Sequence, residues 1–204
     1  MRRIKKLSAA VVLAAGAMFA LTAPASANLV TNGDFEADSP ASQTAPLGWT
    51  LTPASSGTDF FVGAGPGFGA FAGANSANFG ATGNFDDVLS QVLATTPGQS
   101  YTISFELALA STDSSNDFSA FFGGNQLYAL TNGSSFGYTL LSFTSTASSA
   151  STTLSFHGRE VPSWYDLDNV DVEPTNVPEP FTLSLFGTGL AGAVAMRRRK
   201  KAKA

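Results

Sequence analysis

Tyr101-Thr102-Ile103-Ser104-Phe105-Glu106-Leu107 alternates apolar and polar side chains without a break. Neighbouring side chains of an extended chain point to opposite faces, so this run predicts a strand with one buried and one solvated face. Residues 152–156 alternate in the same way through Leu154 and Phe156. Turn signals bracket such runs at Thr96-Pro97-Gly98, Gly123-Gly124-Asn125 and Thr131-Asn132-Gly133. Clear strands are expected at 88–93, 101–109, 118–122, 126–130, 138–145, 152–157 and 165–172, with weaker ones at 48–51, 59–62 and 70–79. No sustained helical period lies between residues 28 and 176. About ten short strands joined by tight turns indicate an all-β domain, an antiparallel β-sandwich over residues 28–174. The 17 Phe residues supply a bulky core. Leaving Phe68, Phe71 and Phe79 in water costs roughly 1.5–3 kcal/mol each, so 63–83 is read as a strand with its flanking loop.

Charge narrows the function. Charged residues make up 13% of the chain, about half the usual share for a soluble domain. Four of the 11 basic residues stand at Arg2, Arg3, Lys5 and Lys6, and six more at Arg197–Arg199, Lys200, Lys201 and Lys203. Between these blocks Arg159 is the single basic residue, against all 15 acidic ones. Such a body repels phosphate backbones, so no nucleic-acid partner is expected, and it attracts cations. With no Cys, a disulfide scaffold, a thiolate zinc site and a thiol nucleophile are excluded.

Both ends read as addresses. Residues 1–27 have a basic start, an apolar stretch from Leu7 to Leu21 and a small-residue site at Ala25-Ser26-Ala27. That is the pattern of a secretory signal peptide, to be cut by signal peptidase between Ala27 and Asn28; an N-terminal membrane anchor is the alternative. At the other end, residues 175–204 hold a Pro178-Glu179-Pro180 break, an uncharged run over 181–196 and a basic block opening with Arg197, Arg198 and Arg199. As a helix, 16 residues reach roughly 24 Å, short of a hydrocarbon core of about 30 Å. Gly187, Gly189 and Gly192 weaken it further as a permanent transmembrane helix. The basic block would stay on the cytoplasmic side and stop translocation.

This order of Pro-Glu-Pro motif, short apolar helix and basic tail resembles the PEP-CTERM sorting signal of exported Gram-negative proteins. The resemblance implies transient anchoring in the inner membrane, recognition by an exosortase-type membrane protease, and transfer to the cell surface or extracellular matrix alongside exopolysaccharide. A second resemblance covers most of the mature chain. Asn28-Leu29-Val30-Thr31-Asn32-Gly33-Asp34-Phe35-Glu36, Gly48-Trp49, Leu89-Ser90-Gln91-Val92-Leu93, Pro97-Gly98-Gln99-Ser100-Tyr101 and Tyr165-Asp166-Leu167-Asp168-Asn169-Val170 occur in order. The set resembles the galactose-binding-like jelly roll of many carbohydrate-binding modules. It implies a structural Ca²⁺ tying the first segment to the last strand, with Glu36 as a ligand.

The residues themselves offer limited chemistry. Asp168 shares parity with Val170 and Val172, so it is expected to point inward with them. A buried carboxylate needs compensation, either a hard cation with oxygen ligands or backbone N–H donors alone. Asp166 and Asp171 are expected to be solvated, as are the loop pairs Asp86-Asp87 and Asp113 with Asp117. Trp49 is assigned to the core. Trp164 and Tyr165, after Pro162-Ser163 and near Arg159 and Glu160, are candidates for stacking on a sugar, with core or edge packing of Trp164 the other reading. Phe121 and Phe122 are adjacent, so one of them faces outward. His157 is the one histidine and no G-x-S-x-G elbow is present, so no catalytic residue is assigned. The expectation is a non-enzymatic surface or matrix protein associated with polysaccharide. The alternatives are a structural or adhesive protein without a sugar site, and a small secreted hydrolase.

Overall fold

The computed structural model describes residues 27–65, 67–110 and 115–175. The signal segment 1–26 and the sorting segment, with Pro178, Glu179, Pro180, Arg197, Arg198 and Arg199, lie outside the described residues. Ala27 and Asn28 are exposed at the start of the described chain.

Two antiparallel sheets form a sandwich, and the described residues hold no helix. In spatial order the six-stranded sheet runs β1 (Ala41–Ser42), β3 (Phe61–Gly63), β4 (Ser76–Phe79), β11 (Tyr165–Pro174), β6 (Ser100–Leu109) and β9 (Phe136–Thr146). The five-stranded sheet runs β2 (Thr50–Thr52), β5 (Asp87–Ala94), β10 (Ser151–Arg159), β7 (Asp117–Phe122) and β8 (Asn125–Thr131).

The alternation of β6 sends Tyr101, Ile103, Phe105, Leu107 and Leu109 into the core. They meet the inward face of the other sheet. Phe105 packs edge-on against Phe156 at 5.1 Å, and Phe118 lies 5.1 Å from Tyr165 and 5.7 Å from Phe79. Trp49 is core, between Phe35 at 5.8 Å and Phe156 at 6.2 Å. Edge-on and tilted pairs of this kind add to the burial of each ring.

The first segment is bound along β11. Leu29 N–H donates to Val172 O at 2.9 Å and Val170 N–H to Gly33 O at 2.9 Å. Asn28 Oδ1 accepts the Val172 amide at 3.0 Å. Gly33 is required here, because a Cβ would stand 2.1 Å from Val170 O.

Two expectations are corrected. The 70–79 strand shortens to Ser76–Phe79, and Phe68 and Phe71 are 47% and 48% exposed rather than core. Each recovers part of its burial by packing edge-on against Tyr138, at 6.5 and 5.4 Å. The parity argument for Asp168 also fails. A bulge lies between Asp168 and Asp171, and Asn169 takes a left-handed backbone with φ 46°. The bulge resets the alternation. Tyr165 and Leu167 face the core before it, and Val170 and Val172 after it. Asp166 and Asp168 therefore stand on the outer face of the six-stranded sheet.

Candidate functional site

Asp168 is nonetheless fully buried, because residues 67–75 fold over that outer face. Asp166 is fully buried there as well, so its expected solvation is corrected. Tyr138 Oη–H donates to Gly69 O at 2.8 Å and anchors the loop. Asp168 Oδ2 accepts the Phe71 and Ala72 amides at 2.9 and 3.1 Å, and its Oδ1 accepts the Asn169 amide at 2.7 Å. Glu36 Oε1 accepts the Ala74 and Asn75 amides, both at 2.7 Å. The sequence-predicted pair thus grips one loop from two sides. Burial holds the Asp168 carboxyl up at about 6, partly offset by its three amides.

Two of the four carboxylate oxygens of this pair are committed to the loop, and Asp168 Oδ1 accepts one further amide. A carboxylate oxygen has two lone-pair sites, and two amides occupy both on Asp168 Oδ2 and on Glu36 Oε1. Among the described residues no group of three or more acidic or imidazole side chains gathers there. Ca²⁺ takes six to eight oxygens. Hydrogen bonds of Asn28, Leu29 and Gly33 also join the first segment to the last strand.

The sequence-predicted sugar pair separates. Tyr165 is fully buried, and its hydroxyl donates to Asn116 Oδ1. It begins β11 on the core side of the sheet, so it has no face to offer a ligand. Trp164 is half-buried; its Nε1–H donates to Asp59 O at 3.2 Å, and its ring meets Phe61 at 6.0 Å. It packs closely over Gly80, where a Cβ would stand 2.3 Å from Nε1. Edge packing describes Trp164.

A different surface brings polar and aromatic groups together. β10 is central in the five-stranded sheet, and its alternation turns Ser155, His157 and Arg159 outward. The ladders set Ser155 opposite Ser90 and Phe121, His157 opposite Val88 and Ser119, and Arg159 opposite Asp117. Opposite residues share a face. Phe121 faces out and Phe122 is core. The His157 ring lies 4.9 Å from the Phe121 ring, tilted 57°.

Arg159 Nη1 donates to Asp86 Oδ1 at 2.6 Å, and its Nη2 lies 3.8 Å from Asp117 Oδ2. Thr131 Oγ1–H bonds the same Asp117 oxygen at 2.7 Å. The expected solvation of the acidic loop pairs is therefore corrected: Asp86 and Asp117 are ion-paired. Asp87 is fully buried and accepts the Ala54 amide at 2.9 Å. Asp113 lies outside the described residues. Burial lowers the His157 pKa, and Asp86 and Asp117 pull it partly back.

His157 Nε2 is 3.2 Å from Ser155 Oγ. β10 is laddered on both sides, so its amides are committed and do not form an oxyanion hole beside that pair. The face can stack a flat apolar surface on Phe121 and His157, and can exchange hydrogen bonds with hydroxyls through Ser155, Arg159 and the two carboxylates. Phe121 was legible in the sequence as an outward candidate; the partnership with Arg159, Asp86 and Asp117 is a product of strand register.

Residues 176–200 match the model of the PEP-CTERM protein-sorting motif. That motif indicates export and sorting to the cell surface. No curated protein matches the chain. Among solved structures, TmCBM61, determined in complex with beta-1,4-galactotriose, is 19% identical with a TM-score of 0.52 and covers 74% of this chain and 100% of its own. A xylan-binding domain from CBM 22 is 13% identical, with a TM-score of 0.51, covering 74% and 99%. The K3 cleaved adhesin domain of Lys-gingipain from Porphyromonas gingivalis is 17% identical, with a TM-score of 0.50, covering 71% and 98%. At these identities the likeness establishes the β-sandwich of carbohydrate-binding modules as the fold.

Proposed function

We propose that the chain is an exported, non-enzymatic surface protein that binds extracellular polysaccharide on the outer face of its five-stranded sheet. The row Phe121–His157–Arg159, flanked by Asp86 and Asp117, carries this reading. Sugar rings present apolar C–H faces to aromatics and hydroxyls to fixed polar groups, and this row offers both. The fold shared with TmCBM61 and the CBM 22 domain supports it, as does the sorting motif. In this reading signal peptidase frees Asn28, an exosortase-type protease removes the tail near Pro180, and the sandwich passes from the inner membrane of a Gram-negative cell to its surface or matrix.

A glycan array and a pull-down on secreted polysaccharide test the proposal. Phe121→Ala is expected to weaken retention at least tenfold, about 1.4 kcal/mol. Trp164→Ala is expected to leave it unchanged. Absence of retention at millimolar glycan would instead favour an adhesive protein without a sugar site.

A further inference from the structure

The two lateral sides of the sandwich end differently. On one side the sheets stop at β1 and β2, strands of two and three residues. Edge strands that short give another chain little to pair with. On the other side the sheets stop at β8 and β9, strands of seven and eleven residues. Tyr128 of β8 and Phe143 of β9 lie 6.2 Å apart across this side. β9 is laddered to β6 alone, so every second residue turns its N–H and C=O away from the sheet. Among the described residues no backbone hydrogen bond reaches that free edge.

The usual guards of a long edge are charged side chains, Pro and bulges. β9 has no charge and no Pro, and its one irregularity lies near its start, leaving residues 139–146 in regular register. Residues 118–158, which hold β8 and β9 whole, contain no Asp, Glu, Lys or Arg, although the chain carries 15 acidic residues. The acids beside this side stand one strand in: Glu106 is buried opposite Leu140, and Asp117 is held by Thr131 and Arg159. The core is also least closed here. Eight apolar residues pack against the core cluster while only partly buried, and six of them are on these two strands: Leu127, Tyr128, Leu130, Phe136, Leu141 and Phe143.

We propose that β9 is the docking edge for a second copy of this chain, pairing antiparallel with the β9 of that copy across a two-fold axis and joining the two six-stranded sheets into one. A two-fold interface uses the same patch on both copies, so the patch must complement itself. An uncharged strand meets that condition, whereas the acidic remainder of the body repels its own copy. A foreign partner guided by charge would be drawn to the carboxylates, which lie off this side. Opposite residues of such a pair share a face, so both five-stranded sheets would look the same way and set two Phe121–His157 rows side by side. The interface stands whether or not those rows bind sugar.

The test uses the full chain in mild detergent, by sedimentation over a range of concentrations and by crosslinking. A monomer–dimer equilibrium is expected. Ser142 and Thr144 are exposed on β9, and replacing both, Ser142→Lys with Thr144→Lys, should raise the dimer dissociation constant at least tenfold. These lysines make the body less acidic, so a general charge effect would act in the opposite direction. The chain has no Cys, so one introduced thiol reports one position. Ser142→Cys, close to the middle of the regular stretch, should be captured as a dimer by a short bis-maleimide, and Thr52→Cys on exposed β2 should not. Crosslinking carries the comparison if the lysine variant fails to fold. A wild type that is monomeric at every concentration overturns the proposal. So does a dimer that persists in the lysine variant, or one captured through Thr52→Cys and not through Ser142→Cys.

Discussion

Replacing Asp168 by Ala strands the amides of Phe71 and Ala72, which the carboxylate holds at 2.9 and 3.1 Å. A hydrogen bond to a charged group contributes about 1.5–3 kcal/mol, so the two together hold the loop by roughly 3–6 kcal/mol. The loss is local first, because Glu36 still holds the Ala74 and Asn75 amides. Loops of this kind open without global unfolding, and amide hydrogen exchange reads that opening residue by residue. At 1.4 kcal/mol per factor of ten, Phe71 and Ala72 should exchange at least a hundredfold faster in Asp168→Ala. Core amides such as Phe105 should slow or quicken only with global stability. Asp168→Asn keeps one oxygen for both loop amides and removes a charge that burial disfavours, so its effect should be smaller. Unchanged protection at Phe71 and Ala72 in Asp168→Ala would refute the two-sided grip.

Phe156→Ala removes the ring packed against Phe105, Trp49 and Phe118 and should cost about 3–5 kcal/mol in denaturant melts. Gly33→Ala drives a methyl to 2.1 Å from Val170 O. It should lower the melting temperature and speed exchange at the Val170 amide, whereas Gly98→Ala, with open space around its Cβ position but φ +81°, should act only through backbone strain. His157 has a lowered pKa in the fold, so the unfolded chain binds more protons just below its ordinary pKa of about 6.5. Stability should therefore fall as pH drops through that window, and His157→Gln should flatten that part of the profile.

Strand positions were legible because a sheet with one wet face writes its period into the sequence. β5, β6, β7 and β10 lie within two residues of the runs that announce them. The outer face of the six-stranded sheet was not legible, for a physical reason. Asn169 can adopt a left-handed backbone, and nothing local says whether it does. One bulge there moves Asp166 and Asp168 from one face to the other, and a loop distant in sequence then decides whether they meet water. The Phe68 and Phe71 assignment failed similarly: transfer energies favour burial, but Tyr138 offered only partial cover. Trp164 and Tyr165 differ in exposure by one step of the pleat, which sequence spacing alone does not phase.

β11 has a consequence for delivery. It is an interior member of its sheet, paired to β4 on one side and β6 on the other, and it ends at Pro174, two residues before the matched sorting motif begins. A nascent chain halted before residue 165 would present β4 and β6 as two bare borders, each an invitation to adhere to another molecule. Completion of the body is thus tied to arrival of its final stretch.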